Sequence, residues 1–300
     1  MTYTVTFNPA IDYVMRLPVL REGETNRTTA EQVQFGGKGI NVSCVLQELG
    51  VENIALGFVA GFTGEALATY LDERGIHTQF IRLPEGLTRI NVKVKTRQEG
   101  AEETEINAAG PAIPDVCFEA LMAKLDTLSE GDTLVLAGSI PASLPKDTYS
   151  RIMARLAGRG IRFAVDAEGE LLTAVLPYRP FLIKPNRAEL EGIVGRALPT
   201  DDDLREAAAE LQRQGAVNVL ISLGGEGAFL LDEHGTVHRS VAHSITPINT
   251  VGAGDSMVAG FLAGVERGYG YALQLGSACG SATAASEGLA TRAMIEQLIQ

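Results

Sequence analysis

The sequence is poor in cysteine, in histidine and in basic charge, and each shortage removes a class of protein. Three cysteines, Cys44, Cys117 and Cys279, are scattered through 300 residues. An odd, dispersed set without a CxxC spacing excludes a disulfide framework and a zinc knuckle, and points to buried thiols in a reducing compartment. The four histidines, His77, His234, His238 and His243, have no metal-ligand spacing and read as surface residues. Lysine and arginine number 25 against 37 aspartates and glutamates, a net charge of −12. Nucleic acid and anionic membranes require broad basic surfaces, so neither is expected as a partner. No basic, apolar leader opens the chain, because residues 1–7 alternate like a strand. The one long uncharged stretch, 268–286, is rich in Gly, Ala, Ser and Thr and carries Gln274. A membrane span wants about 20 predominantly apolar residues, so this stretch reads as a tightly packed helix and the protein as cytoplasmic.

What remains is an ordinary globular composition, 45% hydrophobic and 21% charged. A chain of this length buries roughly 75% of its unfolded surface and needs no staple. No repeat, low-complexity tract or long linker appears, so one unit spanning 1–300 is expected. Strand-like segments at 54–59, 133–136, 161–165, 181–183 and 217–222 alternate with helix-like segments at 64–74, 146–156 and 201–214. That order predicts an α/β fold with a mostly parallel sheet covered on both faces and ligands at the carboxyl ends of its strands. Two stretches depart from it. Residues 13–35 have β-type alternation with few helix signals, and 89–107 read as a polar/apolar hairpin turning near Glu99-Gly100. Together they form either a lid over the main domain or a plain edge hairpin.

Four motifs carry chemistry. Gly36-Gly37-Lys38-Gly39 leads into a helix beginning at Asn41-Val42, and a glycine turn at a helix N-terminus offers free N–H groups to an anion. It is not a Walker A loop, which needs GxxxxGK followed by Ser or Thr, and such turns also occur without a ligand. Thr250-Val251-Gly252-Ala253-Gly254-Asp255 again leads into an apolar helix, with a carboxylate at the turn. Asp255 alone would pass for an N-cap. The flanking glycines point instead to an anion cradle beside a carboxylate able to take a proton from an attacking hydroxyl. Ser222-Leu223-Gly224-Gly225-Glu226-Gly227 lacks the GxGxxG spacing and precedes a strand, so it reads as a turn flooring a flat ligand such as adenine. Lys184-Pro185-Asn186-Arg187-Ala188-Glu189 fits a capping box at the start of a helix. No GxSxG elbow is present.

These residues resemble the ribokinase-like (phosphofructokinase B-type) sugar kinases over essentially the whole chain. Gly36–Val42 is similar to the first family signature and Thr250–Asp255 to the second. Thr6–Asp12, Thr88–Lys93 and Gly138-Ser139-Ile140-Pro141 resemble the branch acting on ketohexose phosphates. The resemblance implies a three-layer α/β/α sandwich with a small β-sheet lid formed by about 12–35 and 88–108. It implies an ATP-dependent kinase that converts fructose 1-phosphate to fructose 1,6-bisphosphate. Tagatose 6-phosphate and fructose 6-phosphate are the alternative substrates, and a non-catalytic sugar-phosphate-binding regulator is a further alternative. Asp255 would be the base, with Gly252, Ala253 and Gly254 supplying amides to the phosphoryl group. Asp12, Gly36, Gly37, Asn41 and Ser139 would hold the sugar, and Arg89, helped by Arg27 and Lys38, its phosphate. Lys184, Asn186, Gly254 and the run Ser222, Leu223, Gly224, Gly225, Glu226 and Gly227 would bind ATP. Asn186 and Glu189 would organise Mg2+ through water, and the lid would make a homodimer contact. Asn249 stands where many members carry aspartate, which keeps the turn chemistry and removes a charge. An acidic exterior around a locally positive cleft is expected.

Overall fold

The computed structural model describes residues 1–96 and 104–299, so the expected turn at Glu99-Gly100 lies outside the described residues. The strands are β1 (Thr2–Thr6), β2 (Ala10–Leu17), β3 (Ala30–Gly36), β4 (Asn53–Ala60), β5 (His77–Thr78), β6 (Ile81–Leu83), β7 (Arg89–Thr96), β8 (Thr104–Ile106), β9 (Thr133–Ala137), β10 (Arg162–Asp166), β11 (Leu182–Ile183), β12 (Asn218–Ser222), β13 (Ala228–Leu231) and β14 (Val237–Ser240). The helices are α1 (Lys38–Glu48), α2 (Gly61–Asp72), α3 (Asp115–Leu125), α4 (Thr148–Arg155), α5 (Gly169–Thr173), α6 (Arg187–Val194), α7 (Asp201–Gln214), α8 (Ala253–Gly264), α9 (Tyr269–Ala284) and α10 (Arg292–Leu298).

Ten strands form the main sheet in the order β14-β13-β12-β11-β10-β9-β1-β4-β5, with β6 also on β4. The pairs from β12 through β5 are parallel, while β13 and β14 are antiparallel additions at one edge. Side-chain alternation along buried strands explains the layers. β9 sends Leu134 and Leu136 to one face, against Leu121 of α3, Ile152 of α4 and Leu211 of α7. It sends Val135 and Ala137 to the other, against Val45 of α1, Phe261 of α8 and Leu273 of α9. A second sheet has the order β3-β2-β7-β8 and corresponds to the two stretches that departed from the α/β pattern.

Several boundaries differ from expectation for packing reasons. α1 begins at Lys38, three residues early, with Gly37 as its N-cap. Gly39 is therefore a helical residue, needed because a Cβ there would lie 2.8 Å from the Val5 carbonyl oxygen. α2 likewise starts at Gly61 rather than at 64. The stretch 268–286 does form a packed helix, α9. Cys117 and Cys279 are buried, but Cys44 is only half-buried. Two of the expected surface histidines, His238 and His243, are half-buried.

Candidate active site

β1, β9, β10, β11 and β12 all end at the same edge of the sheet. Their carboxyl ends deliver Thr6, Gly138, Asp166, Lys184 and Ser222, which is where an open α/β sheet holds ligands. Facing them is the N-terminus of α8. Gly252 is its N-cap, in the left-handed region at φ 80°. That backbone conformation favours glycine, and a Cβ there would also crowd Leu289 Cδ2 at 2.7 Å. No side chain caps the helix. The Ala253 N–H donates to the Thr250 carbonyl at 3.2 Å, so that one of the three expected amide donors is already engaged. The amides of Gly254 and Asp255 lie in the first helical turn, at the positive end of the helix dipole.

Asp255 sits inside that first turn rather than at the cap, and is buried at 5% exposure. Its Oδ2 accepts a hydrogen bond from Asn41 Nδ2 at 2.8 Å, which joins the two glycine motifs. Burial, and next the negative charge of Asp166, push its carboxyl well above the ordinary carboxylate range, against the opposing pull of Asn41, Lys38 and Lys184. Asp166 was legible in the sequence only as the end of a strand. It lies between two ammonium groups, with Lys38 Nζ at 3.5 Å and Lys184 Nζ at 3.4 Å from its Oδ1. Both approach as ion pairs, and neither makes a hydrogen bond to that buried oxygen. Lys184 also stands over α8, since a Cβ on Gly254 would be 3.1 Å from its Nζ. Burial pulls the Lys38 ammonium down, but Asp166, Asp255, Glu168 and Glu189 together more than offset this and its pKa is raised. Two carboxyl groups and two ammoniums thus meet at this centre, and the locally positive cleft expected from Lys38 and Lys184 also contains Asp166 and Asp255.

Cavities flank this centre. One, of about 640 Å³, is lined by Asn8, Gly37, Lys38, Arg89, Gly138 and Ser139 among others. The half-buried guanidinium of Arg89 donates from Nε to the Asn8 carbonyl at 3.2 Å and from Nη1 to the Ala108 carbonyl at 3.4 Å. Asp12, Gly36 and Asn41 line an adjoining cavity of about 500 Å³ that shares Gly37 with the first. Asp12 Oδ1 accepts from Asn91 Nδ2 at 2.8 Å, and its Oδ2 lies 3.4 Å from the buried Lys93 ammonium. Arg27 is exposed in the β2–β3 connection and lines neither cavity.

On the other side a cavity of about 550 Å³ is lined by Asn186, Ser222, Gly224, Gly225, Gly227 and Gly254, with His243, Ile245 and Pro247 from the chain after β14. Burial lowers the His243 pKa, so the imidazole is neutral at pH 7 and the lining carries no charge. Sequence reading missed His243 because its spacing matches no motif. Leu223 and Glu226, expected here, do not line the cavity. Leu223 is buried in the core, and the Glu226 carboxylate is held by Arg187 through bonds of 3.0 and 2.7 Å. Asn186 and Glu189 form the capping box of α6, each side chain bonding the other's backbone N–H at 2.8 Å.

Asn249 keeps its turn chemistry, as its Oδ1 accepts the Val251 N–H at 3.1 Å. Its Nδ2 donates to the Glu287 carbonyl at 3.3 Å. Gln34 of β3 donates to the same carbonyl at 2.7 Å, and Arg16 of β2 pairs with the Glu287 carboxylate at 3.4 Å.

A buried carboxylate in the first turn of an uncapped helix, with an arginine-bearing cavity and an uncharged glycine-lined one nearby, suits a small-molecule phosphotransferase. Residues 5–296 match the model of the pfkB family of carbohydrate kinases, and the chain belongs to that family. It is an ATP-dependent sugar kinase with the ribokinase-like fold. The chain is 43% identical to a 1-phosphofructokinase of Bacillus subtilis, covering 100% of this chain and 97% of the relative. It is 35% identical to a D-tagatose-1-phosphate kinase of Bacillus licheniformis, over 99% and 97% of the two chains. Among solved structures, phosphofructokinase-2 from Escherichia coli in complex with substrates and products superposes with a TM-score of 0.93 at 30% identity, over 99% and 97% of the two chains. Arabidopsis thaliana ribokinase complexed with ribose and ATP gives 0.79 at 20% identity, over 100% and 98%, a likeness of fold alone.

Proposed function

We propose that the enzyme transfers the γ-phosphoryl group of ATP to the free primary hydroxyl of fructose 1-phosphate, forming fructose 1,6-bisphosphate. The observation that carries this reading is the Asp255 carboxylate, buried in the first turn of α8, bonded to Asn41 of one cavity and next in the chain to Gly254 of another. The acceptor hydroxyl attacks phosphorus, its proton passes to Asp255, and the bond to the ADP leaving group breaks. Amides of the first α8 turn, the helix dipole and Lys184 take up charge on the transferred group. Asp12, Asn41, the Gly36-Gly37 backbone and Ser139 hold the sugar. Arg89 holds its phosphate, with Arg27 and Lys38 assisting as the lid closes and excludes water. The nucleotide lies along Asn186, Ser222 and the glycine turn after β12. The whole chain acts as one kinase unit in the cytoplasm, and among the described residues no helix is long and apolar enough to cross a membrane.

The residues at hand fit Mg2+. This ion keeps several waters and takes its other ligands from one or two carboxylates and nucleotide phosphates. Among the described residues no three His, Cys, Asp or Glu side chains are grouped to hold a metal by themselves. Glu189 gives one oxygen to the capping box and retains the other. That donor set suits an ion arriving with ATP, steadied through water by Asn186 and Glu189. When bound, the ion neutralises charge on the ATP phosphates.

The name borne by the Bacillus subtilis relative supports fructose 1-phosphate as acceptor, and that of the Bacillus licheniformis relative favours tagatose 1-phosphate as the second reading. Coupled ADP-release assays with both of these, fructose 6-phosphate and tagatose 6-phosphate decide between them. The highest kcat/KM is expected for fructose 1-phosphate. A preference for any other acceptor overturns the substrate, and no turnover with any of them favours a binding regulator.

The second sheet is also proposed as a dimer contact. Val33, Tyr13, Val92 and Ile106 face one another across its four strands in a single row. Val33 is 48% and Ile106 63% exposed, and an apolar row of this kind marks an interaction surface. Light scattering is expected to give a dimeric mass that V33K/I106K halves. A monomeric parent enzyme sinks the idea.

A further inference from the structure

One buried polar side chain between the two proposed substrate-holding groups has no role yet. Asn91 lies opposite Asp12 in the parallel β2–β7 register and two residues beyond Arg89, on the same face of β7. It is 6% exposed. Both ends of its amide are engaged. Nδ2 donates to Asp12 Oδ1 at 2.8 Å, and Oδ1 accepts the Ala108 N–H at 3.2 Å. The carbonyl of that same Ala108 accepts Arg89 Nη1 at 3.4 Å. The Arg89 Nε rests on the Asn8 carbonyl at 3.2 Å, and Asn8 Nδ2 donates to the Ala109 carbonyl at 2.9 Å. Segment 108–109 is thus clamped by one asparagine on each side, and Arg89 is seated on the clamp.

We propose that Asn91 is a positioning residue for the phosphosugar, fixing the Asp12 carboxylate directly and the Arg89 guanidinium through Ala108. The group that accepts from the sugar hydroxyls and the group that grips its phosphate are thereby held at one separation. The inference rests on the assignment of Asp12 and Arg89 as substrate-holding residues. Asparagine suits the task because it donates to a carboxylate and accepts from an N–H at once. Leucine does neither, and aspartate keeps the acceptor while setting a second negative charge against Asp12. Lys93 reaches Asp12 but not Ala108, so it steadies one arm only.

The test is steady-state kinetics of N91L and N91D, alone and combined with D12A and with R89A. N91L is expected to raise KM for the phosphosugar about tenfold, the scale of a lost hydrogen bond to a charged group. KM for ATP is expected to stay within about twofold, as for other losses confined to one substrate. The N91L effect is expected to shrink in the D12A and R89A backgrounds, because its targets are gone. N91D, nearly isosteric, is expected to fold as the parent does and to raise the same KM through Asp12, so that it carries the test if N91L fails to fold. Equal rises in both KM values, or an undiminished effect in both backgrounds, overturn the proposal and leave Asn91 structural. If D12A and R89A themselves leave the phosphosugar KM unchanged, the underlying assignment fails and the proposal with it. The single variants tell that failure from the first.

Discussion

Asp255→Asn is expected to lower kcat by at least about a hundredfold, the low end for losing a general base, with both KM values nearly unchanged. The substitution preserves shape, and an amide oxygen can still accept the 2.8 Å hydrogen bond from Asn41. It removes the ability to take a proton, together with the charge of the carboxylate. The same carboxyl is expected to set the pH profile of the parent enzyme. Burial, then the charge of Asp166, raise its pKa, and the base works only when ionised. Turnover is therefore expected to fall, as pH drops, at a higher pH than for an ordinary carboxylate, and D255N is expected to lack that acid limb. Rates across pH 5 to 9 measure both, and a kcat near that of the parent enzyme removes Asp255 from the chemistry.

Arg89→Ala is expected to raise KM for the phosphosugar by about ten- to a hundredfold while moving KM for ATP little. The magnitude follows from charge-assisted bonds to a phosphate, worth about 1.5–3 kcal/mol. The asymmetry follows from place, since Arg89 lines the 640 Å³ cavity and not the glycine-lined one. R89K is expected to recover only part of the loss, because an ammonium cannot seat on both the Asn8 and Ala108 carbonyls and still present a fork to phosphate. Comparable shifts in the two KM values would remove Arg89 from phosphate binding.

The glycine motifs were legible because they are local. Gly252 and Gly254 beside Asp255 announce a turn, a helix start and a carboxylate within a few residues. The sheet was legible because parallel strands buried on both faces read as short apolar runs between helical segments. Long-range pairings were not. Nothing around Asp166 says that Lys38 and Lys184 converge on it, so the ion pairs of the centre stayed hidden. Nor does the hairpin pattern show that Asn91 reaches both Asp12 and Ala108. The run from Ser222 to Gly227 was read as one surface, yet consecutive residues in a tight turn point in different directions. Glu226 went to Arg187 and Leu223 into the core. Gly39 looked like loop because a glycine needed for close helix–strand packing has the same letter as one needed for a turn.

The Glu287 carbonyl takes hydrogen bonds from Gln34 on the second sheet and from Asn249 just ahead of α8. A carbonyl has two lone pairs, so this acceptor is saturated and belongs jointly to both. In mechanical terms it is a shared rivet, holding β3 and the segment that leads into Gly252 and Asp255 to one point. Aspartate at position 249 would have no proton for this bond. The asparagine found there ties the second sheet, through one shared acceptor, to the turn that leads into Asp255.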